Sequence, residues 1–275
     1  MNTIRTKNGL LSFGEPVIMG ILNVTEDSFY DGGRYTNQDS ICRRASQILE
    51  EGGDIIDIGA VSTRPGAKDL SEEEEVRRIR EAVLLVRSQF PKAVISVDTW
   101  RASVAQTAVD SGADIINDVS GGTFDPDMIP TIGRLQVPYI LMHTPAKPDT
   151  MQQHTEYKDI LSEMVQFFGQ QLEKLHQVHV HDIILDPGFG FGKTLEQNYF
   201  VLNNLDAFKV FDLPILVGIS RKSMIYKLLE TTPDNALNGT TVVNTLALTK
   251  GAAILRVHDV REAVEARKIC HEFMS

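Results

Sequence analysis

The chain has 275 residues, enough to bury a large core, and 42% of them are hydrophobic, which excludes a disordered or fibrous protein. Its 27 basic and 37 acidic residues leave a net charge of −10, which excludes non-specific nucleic-acid binding and requires that an anionic ligand meet a local positive cluster. The start, MNTIRTKNGLLSFGEP, lacks the cationic head and apolar core of a signal peptide, and no run can span a bilayer, so a cytoplasmic location and no membrane partner are expected.

Residues 1 to 16 read as a hairpin extension turning at Asn8 and Gly9, at the head of a single domain covering the chain. From residue 17, apolar runs alternate with amphipathic segments. The runs are VIMGILNV, DIIDIG, AVISVD, DIINDV, PYILMH, DIILDP, PILVGIS and AAILRVH. Such continuous apolar runs suit strands buried on both faces of a parallel sheet. Helices are expected over 39 to 52, 71 to 90, 101 to 112, 156 to 176, 196 to 208, 236 to 250 and 259 to 273, with a less regular stretch at 123 to 136 around Pro126 and Pro130. Ser71 with Glu74 has the spacing of a capping box, and the acids at 72 to 75 read as a solvated first turn. Cys42 and Cys270 fall in helical segments without metal-ligand spacing and read as inert thiols.

Eight β units predict a closed (β/α)8 TIM barrel, and the lack of a G-x-G-x-x-G turn after the first strand argues against an open dinucleotide-binding sheet. A barrel gathers its strand ends on one rim, here Asn23, Asp57, Asp98, Asn117, His143, Asp186, Arg221, Lys222, Arg256 and His258. Asp98, Asn117 and Asp186 offer acceptors for a flat ligand rich in N–H groups. Lys222, Arg256, His258 and Arg64 offer donors for an anion such as phosphate.

The stretch DPGFGFGKT nearly matches a phosphate-binding loop, but Pro187 stands where its first glycine is needed, so Asp186 remains as a strand-end acid. Lys193 then reads as a solvent-facing residue at a helix start. Asp57 and Asp118 read as partners of nearby backbone. His176, His179 and His181 precede the sixth barrel strand and read as surface residues of the opposite end, while Trp100 and Phe189 suit packing or binding equally.

In order, MGILNVTEDSFYDGGRY, DIGAVSTRPGA, ISVDT, ADIINDVSGG, ILDPGFGFGK, GISRKS and LRVHDV closely resemble the dihydropteroate synthases of folate biosynthesis. The resemblance implies a homodimeric barrel transferase that joins 6-hydroxymethyl-7,8-dihydropterin diphosphate to 4-aminobenzoate by dissociative loss of diphosphate, with Mg2+ as cofactor and sulfonamides as inhibitors. It assigns Asp98, Asn117, Met142, Asp186, Phe191, Gly218 and Lys222 to the pterin, and Phe29, Thr63, Pro65 and Ser223 to the aminobenzoate. Asn23, Arg64, Arg256 and His258 fall to the diphosphate, with Asn23 on the metal, and Asp31, Arg64, Lys222, Arg256 and His258 fall to catalysis.

Glu26, Tyr30, Ala60 and Val61 depart from the usual loop residues without removing any of these. A pterin-dependent corrinoid methyltransferase would not need the STRPG and RVHDV anion devices. A non-catalytic pterin binder would not need Asn23, Lys222, Arg256 and His258 together.

Overall fold

The computed structural model describes residues 3 to 24, 34 to 60 and 70 to 274. Phe29, Asp31, Thr63, Arg64 and Pro65, with the departures Glu26, Tyr30 and Val61, lie outside the described residues.

Thr3–Thr6 (β1) and Gly9–Ser12 (β2) form the expected hairpin. Thr6 pairs with Gly9, so the turn centres on Lys7 and Asn8, and Gly9 follows it at φ 130°. The hairpin closes the N-terminal mouth of the barrel. Arg5 N donates to Asp182 Oδ2 at 3.1 Å and Lys7 N to Asp114 Oδ1 at 3.0 Å. Ile4 is fully buried among Val17, Met19, Ile55, Ile115, Ile140, Ile184, Leu216 and Ile254, which stabilises that closure by about 2 kcal/mol.

The barrel strands are Val17–Asn23 (β3), Ile55–Gly59 (β4), Val94–Asp98 (β5), Ile115–Asp118 (β6), Tyr139–Met142 (β7), Ile183–Asp186 (β8), Leu216–Val217 (β9) and Ile254–Val257 (β10). They pair in parallel in the order β8-β7-β6-β5-β4-β3-β10-β9. A parallel bridge between Leu185 and Ile215, with Leu185 N donating to Pro214 O at 2.9 Å, joins the two edges and closes the barrel. Alternating Cβ directions sort the side chains. In β4, Ile56 and Ile58 join the large core beneath the helices, while Ile55 enters the inner bottom layer.

Around the strands run Arg34–Glu50 (α1), Glu72–Gln89 (α2), Ala102–Ser111 (α3), Met128–Leu135 (α4), Ile160–Gln177 (α5), Leu195–Asn203 (α6), Ser223–Tyr226 (α7), Leu237–Thr249 (α8) and Val260–Met274 (α9). The helix expected to reach 208 stops at Asn203 and continues as a 3-10 segment, Leu205–Phe211. The four-residue α7 is too short to show a helical period in sequence.

Ser71 Oγ accepts from Glu74 N at 3.3 Å, the N-cap half of the expected capping box, while the Glu74 carboxylate pairs with Arg77 and Arg78. The acidic run beside it is not wholly solvated: Glu75 is buried and accepts from Thr99 Oγ1 at 2.7 Å and from Arg101. Among the described residues no helix is long and apolar enough to cross a membrane.

Candidate active site

The alternation that buries Ile55 also sends Asp57 into the barrel, and the same period places Asn23, Asp98, Asn117, Met142, Asp186 and Arg256 on inward positions near the C-terminal rim. Arg256 links three strands. Its Nε donates to Asp57 Oδ2 at 2.6 Å and its Nη2 to Asp98 Oδ2 at 2.8 Å, while Asn117 Nδ2 donates to the same Asp57 oxygen at 3.2 Å. Burial works against the guanidinium charge, but Asp57 and Asp98 outweigh it and hold Arg256 firmly protonated.

Asp98 is pushed up to about 7: burial raises it, Arg256 pulls it back, and Asp57 adds repulsion. Asp186 is likewise raised by burial, against the pull of Lys222 and of Gly188 N, which donates to Oδ1 at 2.8 Å. A ligand that brings N–H donors therefore meets carboxyl groups made costly to ionise by their surroundings.

The glycine-rich loop after β8 forms the wall beside Asp186. Gly188 has φ 69°, and a Cβ there would lie 2.1 Å from His143 O, so both conformation and space exclude a side chain. Lys222 leans on this wall, its Nζ donating to Phe189 O at 2.6 Å and lying 4.6 Å from the Phe191 ring centroid. Burial lowers Lys222 to about 8. Phe191 packs with Met142, Val119 and Met151 into a small apolar cluster edged by Trp100 and Ala146. The site thus combines an apolar slot with buried acceptors and two cations. Such a slot recognises a flat polar ring.

Gly218 faces the interior beside Arg256, its added Cβ falling 3.7 Å from Arg256 Cβ. His258 follows β10, with Nδ1 3.0 Å from Ser220 Oγ, and its carbonyl accepts from Arg44 Nη2 at 2.6 Å. Since Arg44 Nε also donates to Ile21 O at 3.2 Å, α1 ties the ends of β3 and β10 together. Asn23 is exposed at the end of β3, and Ser223 opens α7 directly after Lys222.

Several sequence expectations need correction. Asp57 serves Arg256 and Asn117 rather than nearby backbone. Asp118 does cap backbone, accepting from Ser120 N at 2.7 Å and Gly122 N at 2.8 Å. His143 turns outward from the rim, buried 5.1 Å from the Phe167 ring, and Arg221 is paired with Asp259 at 2.7 Å.

Lys193 is not solvent-facing: it is 4% exposed, and the helix start is capped by Thr194 and Gln197 instead. Phe189 is core and Trp100 packs edge-on to Phe124. Val119 and Met151 were missed. The first sits just beyond the end of β6 and was open to rim reading, whereas the second opens a single 3-10 turn, Met151–Gln153, too short to show a period.

A family model described as pterin binding enzyme matches residues 19–258. The dihydropteroate synthase of Escherichia coli (strain K12) is 40% identical over 267 residues, 96% of this chain and 94% of that protein. The solved Yersinia pestis dihydropteroate synthase with a sulfonamide drug complex superposes with a TM-score of 0.92 at 38% identity, covering 99% of each chain. The Xanthomonas albilineans dihydropteroate synthase with 4-aminobenzoic acid superposes with a TM-score of 0.91 at 33% identity, covering 99% of this chain and 98% of that one.

Proposed function

We infer that the chain, which belongs to the pterin binding enzyme family and is a dihydropteroate synthase of folate biosynthesis, condenses 6-hydroxymethyl-7,8-dihydropterin diphosphate with 4-aminobenzoate, giving 7,8-dihydropteroate and diphosphate. The observation that carries the reading is the meeting in one barrel mouth of the acceptors Asp98, Asn117 and Asp186, the last two buried, with the cations Lys222 and Arg256. The acceptors take the N–H groups of the pterin, and Met142 and Phe191, packed in one apolar cluster, shape the slot for its ring. Arg256 and His258 face the diphosphate.

Loss of diphosphate develops negative charge on the leaving group and positive charge on the pterin methylene. Arg256, held in place by two carboxylates, meets the first without reorganising, and Asp186 favours the second electrostatically. The aromatic amine attacks through its own lone pair and needs no strong base. Phe29, Asp31, Thr63, Arg64 and Pro65 enter this reading by sequence resemblance, and Ser223 stands beside Lys222 for the aminobenzoate. Sulfonamides occupy the same place in competition with aminobenzoate.

Among the described residues there is no cluster of three His, Cys, Asp or Glu side chains for a metal. Mg2+ bound mainly through substrate phosphates and water needs few protein ligands, and Asn23 at the end of β3 would supply an amide oxygen for it. When bound, the ion would neutralise charge on the leaving diphosphate.

A second copy of the chain covers the exposed apolar face of α8 and α9, where Val242 is 52%, Leu246 48%, Ile269 69% and Phe273 80% exposed. The deciding experiment is Mg2+-dependent diphosphate release from the pterin substrate with and without 4-aminobenzoate. Release coupled to dihydropteroate formation supports the reading, and methyl transfer to a corrinoid protein or binding without turnover overturns it.

A further inference from the structure

Every backbone carbonyl from residue 188 to residue 194 accepts a hydrogen bond from a side chain. Lys193 Nζ serves Gly188 at 3.0 Å and Phe191 at 3.1 Å, and Lys222 serves Phe189 at 2.6 Å. Gln152 serves Gly190 at 3.0 Å and Tyr157 serves Gly192 at 2.9 Å. Asn198 serves Lys193 at 3.2 Å and Thr194 at 2.6 Å. A loop rich in glycine is conformationally permissive, so these donors, rather than its own backbone preference, fix its path.

Lys193 differs from the others because it belongs to the loop and is buried. Removing an ammonium from water is costly, and it persists only where its hydrogen bonds are met. Here they are met by the two carbonyls and by His143 Nδ1 at 3.2 Å. Charged, Lys193 donates to all three. Neutral, it donates to both carbonyls and accepts from the other tautomer of His143, so the staple holds in either state. The two carbonyls flank the turn that carries Phe191, and the Gly188 N–H holds Asp186. His143 is itself packed against Phe167, which anchors the staple to α5.

We propose that Lys193, braced by His143, is a positioning residue for the heterocycle: it holds the Gly188 and Phe191 carbonyls at a fixed separation and thereby sets where Asp186 and Phe191 stand. The inference rests on the pterin reading of this site. It separates Lys193 from Lys222, which faces the ligand, and gives the final lysine of the GFGFGK stretch a task away from phosphate.

The test uses the full chain, with Lys193→Met, which fills the space without donating, and Lys193→Gln, which keeps N–H donors on a shorter stem. Binding of 6-hydroxymethylpterin is followed by its fluorescence, KM is measured for each substrate, and thermal melting checks folding. Expected is a folded Lys193→Met with pterin affinity weakened roughly tenfold or more, a matching rise in KM for the pterin substrate, an unchanged KM for 4-aminobenzoate, and partial recovery in Lys193→Gln. Unchanged pterin affinity in folded Lys193→Met, equal rises in both KM values, or failure of both variants to fold would each overturn the positioning role alone. A wild-type chain that neither binds the probe nor releases diphosphate overturns the reaction and the inference with it.

Discussion

Asp57 holds Arg256. The carboxylate sits fully buried within β4, and its Oδ2 accepts the Arg256 Nε at 2.6 Å across a gap of 199 residues in sequence. The guanidinium therefore reaches the barrel mouth already oriented, with Asp98 accepting from its Nη2. A bidentate clamp of this kind has limited rotational freedom to lose when an anion arrives.

Asp57→Asn keeps the volume but removes the charge that orients Arg256 and receives Asn117. Hydrogen bonds to charged groups contribute about 1.5–3 kcal/mol, so kcat/KM should fall by about tenfold or more and the melting temperature should drop. Steady-state kinetics and a thermal melt check this. Unchanged kcat/KM would mean that Asp98 alone suffices to hold Arg256.

The raised Asp98 predicts a pH dependence with a definite sign. Its folded value of about 7 lies above the ordinary carboxyl value of 3.8, so its contribution to stability is full below the unfolded value and declines as pH rises from about 4 to about 7. Ligand binding runs the other way. A pterin donating N–H groups selects the ionised carboxyl, so its affinity should strengthen as pH rises through about 7. Burial drives the shift, Arg256 opposes it, and Asp57, Glu75 and Asp118 reinforce it. Pterin titrations across this range should show the rise in wild type and lose it in Asp98→Asn. The same rise in both proteins would place the titrating group elsewhere.

The barrel was legible because its strands are apolar on both faces, and the rim acids because each closes such a run. What could not be read is register. Asp57 lies mid-strand, one layer below the rim, and its partner on β10 is set by how β10, β3 and β4 align. Lys193 stands between a glycine and the capping Thr194, a local pattern that looks solvated, yet its third partner, His143, comes from the end of β7. Glu75 was hidden in the same way: one acid of four turns inward to Arg101, and only the packing of α2 on β5 decides which.

The exposed apolar face of α8 and α9 predicts a dimer that charge can split. Val242 and Leu246 are one helical turn apart on α8, so Val242→Glu with Leu246→Glu places two carboxylates on the same stripe. Light scattering should report a dimer for wild type and a monomer for the double variant, with little change in melting of the isolated chain because both positions are solvated there. A dimer that survives the substitutions would locate the interface on another face.

Lys222→Met separates charge from packing at the pocket wall. The methionine keeps an apolar stem against Phe191, while the donor to Phe189 O and the counter-charge for Asp186 disappear. Lys222 is the largest influence pulling Asp186 back toward its ordinary value, so its removal leaves burial less opposed and moves Asp186 further up. The variant should lose about 100-fold in kcat/KM near neutral pH, and part of that loss should be regained as pH rises and Asp186 ionises. Kinetics at several pH values check both statements. A loss independent of pH would reduce Lys222 to a direct ligand contact, and near-normal kcat/KM would remove it from the site altogether.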